Sequence, residues 1–204
     1  NADNIYQLSI QVSDGEVNAT LNVSVSVQDK YEPSKENHTV DLNASVGLEM
    51  IWVEPGTFTM GQPPYETNVT IHQGFYMGKY EVTQTQYEAV MTGNPDGLSA
   101  KPSQWPNYNQ PYRPVNDVSW DDIQKFLVRL NGQKQDNTAR GWAFVLPTDA
   151  QWEYACRAGT QTDYYFGDDA SELHKHGWFR GNSRKQMHPV GMKQPNEWGL
   201  YDLY

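Results

Sequence analysis

Strict alternation of apolar and polar residues runs through the first stretch of this chain and then stops. Tyr6, Leu8, Ile10 and Val12 alternate with polar neighbours, and Val17, Ala19, Leu21, Val23, Val25 and Val27 repeat the pattern. A period of two puts one set of side chains on one face of a strand, so the spacing predicts two half-buried strands. Ser13-Asp14-Gly15-Glu16 lies between them, and Gly15 takes a positive φ at little cost, so the pair is expected to form a hairpin. Two strands bury too little to be stable alone, which places the rest of their sheet upstream of Asn1. From Lys30 to Gly47 the alternation gives way to Lys, Glu, Asn, Ser and Pro33, the composition of a linker. The expected organisation is therefore a hairpin over 1–29, a linker over 30–47 and a second domain over 48–204.

That second domain has an unusual inventory for its core. Hydrophobic residues make up 37% of the chain, yet aromatics alone make up 13%. Large rings must then fill space that aliphatic side chains usually fill, and Trp52, Trp120 and Trp152 are expected as core anchors. Three segments carry helix-start signals: Thr83-x-x-Gln86, Ser119-x-x-Asp122 and Thr148-x-x-Gln151. In such a box the first side chain accepts from the third backbone N–H and the later side chain reaches back, satisfying two donors. Behind the second start, Ile123, Phe126, Leu127 and Leu130 form one apolar stripe; behind the third, Trp152, Ala155 and Cys156 share a face. Residues 50–60 and 75–80 read as short strands, and the Gly- and Pro-rich stretch 93–113 as irregular loop. The fold class is α+β and loop-rich.

Charge and hydropathy exclude some partners. The net charge is −10, which argues against nucleic acid and anionic membrane surfaces. A mean hydropathy of −0.78 and no long apolar run argue against membrane insertion. The chain begins at Asn1 with neither a start Met nor a basic and apolar leader, so it reads as an internal fragment. Asn18, Asn22, Asn37, Asn43 and Asn68 each stand in an Asn-x-Ser/Thr triplet, which marks either glycan acceptors or an Asn-rich exposed surface.

Two resemblances sharpen the reading. The hairpin pattern, ending Val-x-Val-x-Val-Gln28-Asp29, resembles the end of a cadherin-like repeat and equally a generic Ig-like sandwich. Further on, five motifs occur in order: 50–61 (Met-Ile-Trp-Val-Glu-Pro-Gly-Thr-Phe-Thr-Met-Gly), Tyr80-Glu81-Val82-Thr83-x-x-x-Tyr87, Pro114-Val115-x-x-Val118-Ser119-Trp120, Leu146-Pro147-Thr148-x-x-x-Trp152-Glu153-Tyr154 and Pro195-Asn196-x-x-Gly199-Leu200-Tyr201-Asp202. Together, over residues 48–204, they closely resemble the formylglycine-generating enzyme, or sulfatase-modifying factor, family. That resemblance implies a C-type-lectin-like fold with little regular structure, and the cadherin-like one a secreted or surface-attached, extracytoplasmic protein.

For function it implies three readings, of which the first is adopted as the expectation and the others are alternatives. One is an oxidoreductase that uses copper and O2 to convert a peptidyl cysteine of a protein substrate to formylglycine. Another is a binding module for a peptide or glycan, and a third is an iron-dependent sulfoxide synthase relative. The oxidases bind copper through two cysteines near the end of the domain, and Cys156 matches neither, standing where a small core residue is expected. No catalytic residue is therefore assigned, and the catalytic region is expected past Tyr204. One metal ligand transfers: Asp202 aligns with a residue that gives a side-chain oxygen to calcium, a site completed by later residues. Asn182 aligns with the start of a second calcium loop, but Arg184-Lys185-Gln186-Met187 follows without the acidic residue, so Asn182 is expected to be a loop anchor. His174-x-His176 is the one close histidine pair and reads as solvated or lightly bonded, while Glu81 and Glu153 are expected to hold loop backbone amides.

Overall fold

A computed structural model describes residues 4–13, 18–27, 35–104, 110–134 and 142–204, the first two segments by their backbone alone. The chain divides into two compact units, Asn1–Ser34 and Lys35–Tyr204.

In the first unit β1 (Asn4–Ser13) and β2 (Asn18–Val27) pair antiparallel, with Tyr6 opposite Val25, Leu8 opposite Val23 and Ile10 opposite Leu21. The register sets the two alternating apolar series against each other, as the period of two requires. The turn between them, and residues 28–34, which include the start of the expected linker, lie outside the described residues.

The rest of that linker is part of the second unit. β3 (His38–Asn43) pairs with β4 (Val46–Val53), with Val40 opposite Leu48, and Leu42 and Leu48 are buried in a core. Apolar residues at alternate positions, Val40 and Leu42, outweighed the polar composition around them. Asn43 closes the hairpin by accepting from the Ser45 backbone N–H at 3.0 Å, an Asx turn. The unit accordingly begins at Lys35 and not after Gly47.

β4 is the partition of the second unit. β7 (Phe75–Gly78) pairs on its other edge, giving the order β3-β4-β7. On one face Leu48 and Met50 meet α1 (Gln84–Met91) and α2 (Trp120–Lys134), where Tyr87, Val90, Met91, Phe126 and Leu130 are buried. On the other face Ile51 and Val53 meet α3 (Asp149–Arg157), Ile71 and Leu200. A separate ribbon, β5 (Gly56–Met60) with β6 (Thr67–Ile71), packs beside α3. Alternation along one strand thus divides two cores, a core on each face of a single sheet.

The helix starts are built as the spacing predicts. Thr83 and Thr148 cap α1 and α3 with reciprocal Gln86 and Gln151 contacts, and the Ser119 hydroxyl accepts from the Asp122 N–H while Asp122 accepts back. Each such cap is worth about 1 kcal/mol. A short helical segment, η1 (Ala170–Glu172) running into α4 (Leu173–His176), lacks the length for periodicity and was not legible in the sequence.

The tryptophan expectation fails for two of three. Trp120 is 66% exposed and Trp152 is 42% exposed. Their places in the cores go to Tyr87, which stacks on Phe126 with centroids 5.3 Å apart, and to Tyr154, which meets Phe58 and Trp198. Trp52 is half-buried against Tyr76 and Trp142.

Candidate functional site

The turn over residues 196–200 is held in place by one carboxamide. Asn196 is buried; its Nδ2 donates to the carbonyls of Ala155 at 2.7 Å and Cys156 at 3.2 Å, and its Oδ1 accepts from the N–H groups of Trp198 and Leu200. Every hydrogen-bonding valence of the side chain that matters is used, and the turn it shapes drives Leu200 into the core at 1% exposure. Gly199 supplies the positive φ of +83° that this turn needs.

Three residues past Gly199 stands Asp202, in the left-handed region at φ +55°. Its Oδ2 accepts from the Gly191 N–H at 2.7 Å, whereas its Oδ1 is buried with no hydrogen-bond partner. Gly191 itself cannot carry a side chain: its φ is +71°, and a Cβ would stand 2.6 Å from the Tyr80 ring. The neighbouring Tyr201 donates its N–H to the Lys79 carbonyl at 3.1 Å and packs its ring on Tyr80. Desolvation raises the Asp202 carboxyl above its ordinary range, opposed by the Gly191 N–H and by Lys193.

Glu81 lies within the field of Asp202. It makes no hydrogen bond or ion pair with the described residues, so the expectation that it holds a loop amide is not met. As a residue it is exposed. Desolvation and then the charge of Asp202 push it up to about 7. Nothing in the Tyr80-Glu81-Val82 spelling reveals this, because the cause is a charge more than a hundred residues away in sequence. Glu153 behaves as expected: Oε1 accepts from the Gly61 N–H at 2.8 Å and pairs with Arg157, whose Nη2 donates to the Gly61 carbonyl at 2.9 Å.

Behind Asp202 stand Tyr164, Tyr165, Phe166, His176 and Tyr204, packed edge and face with centroids 4.1 to 6.1 Å apart. His176 is buried here, stacked on Phe166, with Nδ1 lacking a partner, whereas His174 is exposed and its Nδ1 meets the Ser171 carbonyl at 2.7 Å, so the pair is lightly bonded and only one member is solvated. Their i, i+2 spacing falls on α4, which turns them apart. Cys156 faces the same wall at 3% exposure, and burial pushes its thiol up, away from the reactive thiolate. Asn182 has both ends of its carboxamide engaged, Oδ1 accepting from the Phe179 N–H and Nδ2 donating to the Gly177 carbonyl. It closes its loop from within.

A hard cation takes carboxylate and carbonyl oxygens, and the orphaned Oδ1 of Asp202 fits such a role. Among the described residues no group of three or more His, Cys, Asp or Glu converges, so no cation sphere is complete around Asp202. Copper of the thiolate kind does not fit these residues: the single thiol is enclosed and protonated.

The sequence pattern described as the sulfatase-modifying factor enzyme 1-like domain matches residues 36–204. "Chaperone protein LppX" of Paenibacillus barcinonensis is 27% identical over 206 positions, covering 79% of this chain and 70% of that protein. Among solved structures, Treponema denticola variable protein 1 superposes with a TM-score of 0.65 at 24% identity, covering 83% of this chain and 73% of that one. PvdO from Pseudomonas aeruginosa superposes with a TM-score of 0.66 at 23% identity, covering 84% and 72%. At these identities the two structures speak for the fold.

Proposed function

Because the chain belongs to the sulfatase-modifying factor enzyme 1-like family over residues 36–204, we propose that this domain is an extracytoplasmic recognition module that binds a peptide or glycan on its loop surface, with calcium at Asp202 stiffening that surface. The observation that carries the reading is the Asp202 carboxylate: one oxygen fixed by Gly191, the other buried and unpartnered, on a backbone held left-handed. Bound there, calcium would supply charge to an oxygen that otherwise stays desolvated for nothing. The upstream hairpin, with its cadherin-like or Ig-like alternation, suits a surface setting, and no helix among the described residues is long and apolar enough to cross a membrane.

The family's oxidation of a peptidyl cysteine to formylglycine needs a thiolate pair, and the 204 residues hold one buried cysteine. Cys156→Ser is therefore expected to leave unchanged whatever turnover a cysteine-containing sulfatase peptide shows with copper and O2. For the calcium reading, thermal unfolding with millimolar CaCl2 and with a chelator is the test. A ligand that binds only the folded state raises Tm by mass action. The wild type should gain Tm with calcium and Asp202→Ala should lose most of that gain; equal gains in both would remove Asp202 from the site.

A further inference from the structure

Cations gather in one stretch of this acidic chain. Lys175, Arg180, Arg184, Lys185 and Lys193 fall within residues 173–194, which hold no Asp or Glu, while the whole chain carries −10. Lys175 is committed to Glu172, and Lys193 to the Trp178 ring at 3.9 Å and to the His174 carbonyl. Arg180, Arg184 and Lys185 are exposed and have no ion pair or hydrogen bond among the described residues.

The loop that carries them is braced by its own hydrogen bonds. Asn182 and Ser183 both donate backbone N–H groups to the Phe179 carbonyl, at 3.0 and 2.9 Å, and the Asn182 side chain ties Phe179 to Gly177. His188 Nε2 meets the Ser183 carbonyl at 2.9 Å while its ring stacks on Trp178 at 3.7 Å. Phe179, 40% exposed, lies over Gly181, where a Cβ would meet its ring at 2.7 Å.

The tip is where sequence and backbone disagree. Gln186 donates its N–H to the Ser183 carbonyl at 3.0 Å, closing a turn whose central residues, Arg184 and Lys185, have φ of +52° and +58°. Positive φ at both central positions is the mark of a type I′ turn, which favours Asn-Gly and strains long L side chains. Arg-Lys is a costly choice at this tip, and no side-chain hydrogen bond, ion pair or ring contact with the described residues offsets it. Strain retained without an internal partner points outward.

We propose that the 179–186 loop binds an anionic polysaccharide, with Arg180, Arg184 and Lys185 meeting its carboxylates or sulfates and Phe179 packing on a sugar face. A charged polymer suits the tip because it needs point charges and a ring. A peptide strand needs a sheet edge or groove, which a two-residue turn does not offer. Screening at physiological salt confines the repulsion of the −10 chain to about 8 Å, so an exposed tip can act locally. This names a ligand class for the recognition reading and rests on it.

The test is Arg184→Asn/Lys185→Gly, which gives the turn its preferred residues while removing both charges. Binding of polygalacturonate, its methyl-esterified neutral form and poly-glutamate is measured by calorimetry in calcium-free buffer, beside Tm. The expected result is salt-sensitive binding of polygalacturonate by the wild type, none of the esterified polymer, and at least tenfold loss in the double variant with an equal or higher Tm. Phe179→Ala should weaken binding several-fold. Retained affinity in the double variant overturns the inference, and so does equal or tighter binding of poly-glutamate. Absence of polygalacturonate binding while the calcium response of Tm persists overturns this inference alone; loss of both overturns the recognition reading.

Discussion

The Nδ2 of Asn196 donates to the carbonyl of Ala155 across forty-one residues at 2.7 Å, joining the end of α3 to the chain's last turn. The same side chain serves the Cys156 carbonyl and two N–H groups, at 4% exposure. Asn196→Ala orphans groups that water cannot reach, and should cost about 2 to 4 kcal/mol. Asn196→Asp keeps the acceptor but turns a carboxylate oxygen toward two carbonyls, so it should be at least as damaging. Chemical denaturation of both variants checks this; Asp matching wild type would mean the donor half is dispensable.

The exposed tryptophans give a contrasting expectation. Trp120→Ala and Trp152→Ala remove large side chains that stand 66% and 42% exposed, so each should cost under about 1 kcal/mol. Leu200→Ala, smaller in volume removed but at 1% exposure, should cost about 2 to 5 kcal/mol. Denaturant midpoints that rank a tryptophan above Leu200 would restore the sequence-based view of those rings as core anchors.

What could be read from the sequence was local. The capping boxes at Thr83, Ser119 and Thr148 announce themselves within four residues, and alternation announced β1 and β2, so those elements were legible. The linker estimate failed because Val40 and Leu42 join a core built largely by α1 and α2, which composition over 30–47 does not contain. Asp202 was singled out by resemblance, but its unpartnered Oδ1 and the raised carboxyl of Glu81 arise from packing between residues far apart in the chain. Arg184-Lys185 was seen as a departure from an acidic loop; its positive-φ turn was not, since no Gly or Asn marks it.

Cys156 should be inert while the domain is folded. Its thiol is 3% exposed, meets the Leu203 carbonyl at 3.8 Å, and is held protonated by burial. Labelling by a small thiol reagent at pH 8 should therefore run about 100-fold or more slower than in denaturant, with the native rate set by local opening. Comparable rates in both conditions would place the thiol at the surface.

Glu81 should make stability depend on pH in the sense opposite to a paired carboxylate. Its folded value, about 7, lies above the unfolded value of 4.5, so the folded state holds the proton more tightly. The stabilising contribution is fully present below 4.5 and is lost as pH rises through 7. Because the residue is exposed, solvent screening reduces the effect to on the order of 1 kcal/mol, or about 2–4 °C in Tm. Asp202, also raised by desolvation, acts in the same sense, whereas His176, lowered by desolvation, costs stability as pH falls below 6.5. These two remain in a Glu81→Gln variant, which fixes position 81 in its neutral form. Relative to that variant, the wild type should lose about 2–4 °C between pH 4.5 and pH 8, most of it on the alkaline side of pH 6. Parallel Tm curves across this range would mean that Glu81 titrates like a free surface carboxylate and that the charge of Asp202 does not reach it.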